Sequence, residues 1–67
     1  MNFKQLIEKH RFNRATLAKE LNLTRSTVAA WVRGKSEPNI TTIQKISELL
    51  NEPVETVVKA LMACKGK

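Results

Sequence analysis

Between Arg14 and Arg33 the chain places two short runs of helically spaced apolar residues almost back to back. Leu17, Ala18 and Leu21 form the first run, Val28, Trp31 and Val32 the second, and only a few residues around Asn22, Leu23 and Thr24 separate them. Each helix is too short to be stable alone, so the two must pack across one another at a steep angle. Close crossing needs a small side chain at the contact. Ala18 supplies it, with Leu17, Leu21, Leu23, Val28 and Trp31 expected to fill the wedge around it.

The same kind of pattern continues on both sides. A first helix over about 3–10 has Asn2 as its N-cap and Phe3, Leu6, Ile7 and His10 on one side. The crossing pair spans 14–21 behind Asn13 and 25–33 behind Thr24, with Asn22 able to adopt the left-handed conformation that ends helices and Gly34 as the second stop. Pro38 marks a loop, and Asn39 caps a fourth helix over 40–50 with Ile40, Ile43, Ile46, Leu49 and Leu50 turned inward. Pro53 opens a fifth over 53–63, with Glu55 favourably placed near its positive end. The tail 65–67 is expected to fray. No segment keeps an apolar/polar alternation and no Asn-Gly or Asp-Gly hairpin dipeptide occurs, so the expected fold is a single all-α domain of five helices.

With 67 residues the chain is near the size at which one core is only marginally sufficient, and a lone cysteine, Cys64, rules out an intramolecular disulfide. Enzyme readings fail on inventory: there is no aspartate, no tyrosine, one histidine, one cysteine and no Gly-rich phosphate loop. Metal sites lack ligands for the same reason, and no cofactor is expected. Nothing resembles a signal sequence or a membrane span, so a cytoplasmic protein is expected. The charge is one-sided. Residues 1–35 hold eight Lys and Arg against two Glu, residues 36–67 four against four, so the whole net charge of +6 lies in the first half. Such a field points to a polyanionic partner contacted by the N-terminal half.

The helix over 25–33 has an outer face of Arg25, Ser26, Ala29, Ala30 and Arg33. A helix about 10–12 Å in diameter fits the B-DNA major groove, about 12 Å wide, provided that bulky outward groups do not hold it away. Ala29 and Ala30 keep the middle of that face thin. The stretch from Asn13 to Leu50 resembles the helix-turn-helix domain of the phage Cro and CI repressor family, also called the XRE family: Leu17-Ala18, Leu23, Val28, Trp31, Gly34, Pro38, Ile43, Ile46 and Leu50 follow its order and spacing.

The resemblance implies a compact lambda-repressor-like domain with the helix-turn-helix in helices two and three, the third helix reading bases and the following loop gripping phosphates. Carried over by position, Arg25, Ser26 and Ala30 fall at base contacts, and Asn13, Arg14, Thr24, Thr27, Arg33 and Lys35 at or near backbone contacts. Three positions depart from the pattern: Arg14 stands for a common glutamine, Asn22 for the turn glycine and Val32 for an acidic residue. Simpler readings exist for several of these residues. Arg25 could be a solvated side chain, although a cation at a helix start is slightly unfavourable, and Ala30 could serve only as a good helix former. Trp31 is expected in the core, Cys64 as an inert thiol, and Lys4, Lys9, Arg11 and Lys19 as general field rather than contacts.

The expected function is a sequence-specific double-stranded DNA-binding regulator, a small repressor that occupies a palindromic operator. The short chain favours a Cro-like protein, although a repressor's N-terminal domain would look the same. Val57, Val58, Leu61 and Met62 are the candidate interface of a weak homodimer formed mainly on DNA. A DNA-binding antitoxin and a protein-interaction module of the same fold are the alternatives.

Overall fold

The computed structural model describes residues 1–65. Five helices follow in order: α1 (Phe3–Lys9), α2 (Arg14–Glu20), α3 (Arg25–Val32), α4 (Ile40–Leu50) and α5 (Val54–Lys65), with no strand among the described residues. Four of the starts share one device. Asn2, Asn13, Thr24 and Asn39 each accept a hydrogen bond from the backbone N–H three residues on, satisfying a donor that the helix itself leaves unpaired.

The first four helices also end alike, each on a residue with left-handed backbone. Arg11, Asn22, Gly34 and Asn51 have φ of 66°, 59°, 74° and 54°. At each, the next residue's N–H reaches back to a carbonyl of the last turn: Phe12 to Ile7, Leu23 to Ala18, Lys35 to Ala30 and Glu52 to Ser47, at 2.8–3.0 Å. These are Schellman closures. Asn22 and Gly34 are the two expected as stops; Asn51 is a residue of the same tolerant type, whereas Arg11, whose Cβ makes this conformation costly, carries no such advance sign.

Helix bounds differ from the sequence reading by a residue or two, because His10, Leu21 and Arg33 are C-caps rather than helical residues and Pro53 precedes α5. At the far end α5 runs through Lys65; the rest of the tail expected to fray, Gly66 and Lys67, lies outside the described residues.

The core gathers Phe3, Leu6 and Ile7 from α1, Leu17 and Ala18 from α2, Val28 and Trp31 from α3, Ile46 and Leu50 from α4, and Val57, Ala60, Leu61 and Cys64 from α5. α5 packs against α1, α3 and α4 and is the shared wall of the domain. That position corrects the expected dimer interface. Val57 and Leu61 are inside, and of the four residues only Val58, half-buried, and Met62, 64% exposed, reach the surface. Two further expectations change. Leu23 is 40% exposed rather than wedged between α2 and α3, and Ile40 is 63% exposed because it sits at the very start of α4. Val32, Ile43 and Leu49 are only partly buried against the core.

One polar cluster fastens the end of α1 to the α4–α5 turn. His10 Nε2 donates to Glu52 Oε2 at 2.7 Å, Lys9 Nζ lies 3.6 Å from the same oxygen, and the Ser47 hydroxyl donates to the Glu52 carbonyl. The hydrogen bond from His10 is the largest influence on the Glu52 carboxyl; partial burial opposes it and Lys9 adds to it, leaving the pKa below the usual carboxylate value. A folded-state pKa below the unfolded one means that this stabilisation is complete above the ordinary value of 4.5 and is lost as pH falls through the folded value. Glu52→Gln is therefore expected to flatten the acid side of the stability profile, read as urea midpoints between about pH 3 and pH 6. An acid limb as steep as the parent's would show that Glu52 does not set it.

Candidate nucleic-acid interface

The α2–α3 crossing is built as a rigid corner. Ala18 is buried at the contact, its carbonyl accepts from Leu23 N–H at 2.8 Å, and left-handed Asn22 turns the chain between the two helices. Trp31 anchors the inner side of α3. Its ring meets Phe3 edge to face, with centroids 6.3 Å apart and planes at 71°, so it is a core residue and has no free face for stacking bases.

The outer side of α3 lies open. Arg25 and Ser26 are exposed at its first turn, Ala29 and Ala30 are half-buried in its middle, and Arg33 and Lys35 are exposed beyond its end. Over an eight-residue helix this separates the Arg25 and Arg33 ends by about 12 Å. No acidic side chain pairs with Arg25, Arg33 or Lys35 along this edge, or with Arg14, among the described residues. The result is a thin ridge with unneutralised cations at both ends.

Two capping pairs stand beside the ridge with donors to spare. Asn13 and Thr16 exchange bonds at 2.8 Å through Asn13 Oδ1 and Thr16 Oγ1, which leaves the Asn13 amide group free to donate. The hydroxyls of Thr24 and Thr27 are 3.0 Å apart, and one hydrogen serves that contact. The other remains for an external acceptor such as a phosphate oxygen. Their first role, however, is local: Thr24 Oγ1 also accepts from Thr27 N–H.

Arg14 and Arg25 come together across the corner. An open cleft of about 370 Å³ is lined by Arg14, Arg25, Ser26 and Ala29, and a second of about 270 Å³ by Asn13, Arg14, Ala15 and Arg25. Sequence reasoning placed both arginines correctly on helix starts but gave no sign that they share a cavity, because that depends on the angle between α2 and α3. Ala15 and Ala29 leave the guanidinium groups room.

The trailing loop is fixed to α5. Lys65 Nζ donates to Glu37 Oε2 at 2.6 Å, Pro38 is buried, and Gly34 lies so close to the Cys64 carbonyl that no side chain fits between them. Arg33 and Lys35 are therefore presented from a loop held at both ends. Lys9 faces Glu52 instead of the ridge.

Among the described residues no group of three metal-ligating side chains is assembled, every buried side-chain nitrogen and oxygen is hydrogen-bonded, and no helix is long and apolar enough to cross a membrane. A protein-family model described as helix-turn-helix matches residues 3–57, from the start of α1 into α5. No curated protein and no solved structure gives a significant match.

Proposed function

Because the chain belongs to the Cro/CI-type (XRE) helix-turn-helix family of DNA-binding regulatory domains, we propose that it is a small phage-type repressor that occupies an operator through the major groove. The observation that carries this reading is the ridge itself, thin in the middle and cationic at both ends, on the helix that the family uses for base recognition. In this mechanism α3 enters the groove from its N-terminal end. Arg25 takes a guanine edge, Ser26 and Ala30 border the neighbouring bases, and Ala29 provides clearance. Asn13, Arg14, Thr24, Thr27, Arg33 and Lys35 hold phosphates on either side and fix the register. No covalent step is involved, and repression follows from excluding competitors for the site.

Two copies would meet on a palindromic operator with half-sites about one helical turn apart. Val58 and Met62, rimmed by Glu37 and Lys65, are the apolar pair left on the outside of α5 for that contact, and their small extent fits a dimer that forms mainly on DNA.

Selection of bound duplexes from a random library, followed by affinities over a salt series, tests the reading. A palindromic sequence should be enriched, and log K should fall with log salt by about one unit for each phosphate neutralised. Failure to enrich any sequence, with weak binding at low salt, would overturn it in favour of a protein-interaction role.

A further inference from the structure

Of the four left-handed residues that end helices, Asn22, Gly34 and Asn51 are of types that accept that backbone, and the fourth is Arg11, with φ of 66°. Its neighbours force the conformation. Arg11 N–H donates to the Glu8 carbonyl at 3.0 Å, Phe12 N–H donates to the Ile7 carbonyl at 2.9 Å, and Phe12 is partly buried against the core. The end of α1 cannot open without drawing Phe12 out. The choice of side chain at position 11 is not forced in this way. In the left-handed form a Cβ crowds the following carbonyl oxygen, a strain that glycine avoids and asparagine tolerates. An arginine here works against the fold, and strain of this kind at one residue points to a task for its side chain.

The surroundings supply that task. Arg11 is exposed and no carboxylate pairs with it among the described residues, whereas the nearby Lys9 is drawn to Glu52. Two residues further on, Asn13 caps α2 and lines the open cleft with Arg14 and Arg25. Two residues of chain span at most about 7 Å. Phosphates follow one another about every 3.4 Å of axis along a DNA strand, so a cation this close to Asn13 meets the phosphate beside the one held at the start of α2. We propose that Arg11 is a further backbone-contacting residue, which extends the DNA footprint from the α2–α3 corner onto the turn between α1 and α2. This rests on α3 entering the major groove. It moves Arg11 from the general cationic field to a contact, one that adds affinity on every sequence and carries no base information. The strained backbone is then a loss of stability offset by a gain in binding.

The test compares the parent with Arg11→Gly, Arg11→Asn and Arg11→Lys, by thermal unfolding and by affinity over a salt series for the selected duplex and an unrelated one. Arg11→Gly and Arg11→Asn relieve the strain and remove the charge. Both should melt at the parent's midpoint or above it, yet bind more weakly, with the salt slope reduced by about one and the same loss on both duplexes. That slope change makes their deficit about threefold larger at about 50 mM salt than at about 200 mM. Arg11→Lys keeps the charge and the strain, and should keep the parent's slope and midpoint. A parental slope in Arg11→Gly and Arg11→Asn would overturn the contact while leaving DNA binding intact. Lower melting midpoints in both would overturn it too, by showing that the arginine side chain supports the fold, and a loss confined to the selected duplex would show base reading instead of a phosphate contact. A parent that binds neither duplex would remove the proposed DNA function itself, and this contact with it.

Discussion

Gly34→Ala is expected to destabilise the protein by about 2–5 kcal/mol, the combined cost of a left-handed non-glycine residue and an overpacked contact. The backbone there has φ of 74°, and an added Cβ would lie 2.6 Å from the Cys64 carbonyl oxygen, 3.1 Å from its carbon and 3.3 Å from Lys65 Cα. All three atoms belong to the backbone of α5, which cannot move aside without disturbing its packing on α1, α3 and α4. Asn22→Ala separates the two causes. It imposes the conformational penalty alone, about 1–2 kcal/mol, at a residue exposed to solvent. Against a total stability of about 3–10 kcal/mol for a chain of this length, the glycine variant should lose a large fraction of its stability. Urea denaturation followed by far-UV circular dichroism measures both variants; equal midpoints for the two would show that the approach of Gly34 to α5 costs nothing.

The second large effect is expected from Phe3→Ala, at about 3–5 kcal/mol. Phe3 is fully buried, meets Trp31 edge to face, and donates its backbone N–H to Cys64 Sγ at 3.4 Å, so one residue at the first turn of α1 touches α3 and α5 together. Truncation opens a cavity where three helices meet and removes the aromatic contact. For a domain of this size each kcal/mol lowers the melting midpoint by about 4–8 °C. Trp31, the chain's single tryptophan, reports the change directly, since its fluorescence senses both the missing ring and water entering beside it. A melting midpoint within a few degrees of the parent's would mean that the core closes over the gap.

What the sequence discloses about this fold is mainly what is decided locally. The caps Asn2, Asn13, Thr24 and Asn39 and the stops Asn22 and Gly34 act through bonds within a few residues, and all lie where side-chain chemistry places them. Ile40 shows the limit. Helical spacing identifies the inward stripe of α4 but not where along its axis the neighbouring helices stop, and Ile40 falls beyond them. Val57 and Leu61 show the converse: with Ala60 and Cys64 they form one stripe at helical spacing, and the three helices packed on α5 cover it. Arg11 could not be foreseen as left-handed, since arginine gains nothing from that conformation. The ridge on α3 was legible because one helix forms it. The cleft shared by Arg14 and Arg25 was not, because no local signal encodes the crossing angle of α2 and α3.

The bond between Phe3 N–H and Cys64 Sγ spans 61 positions of sequence. Traced through space, the first turn of α1 and the last turn of α5 thus lie side by side. Entropically, the loop that α1 closes on docking to α5 is the largest that the described helices form, so this contact carries the highest closure cost in the fold.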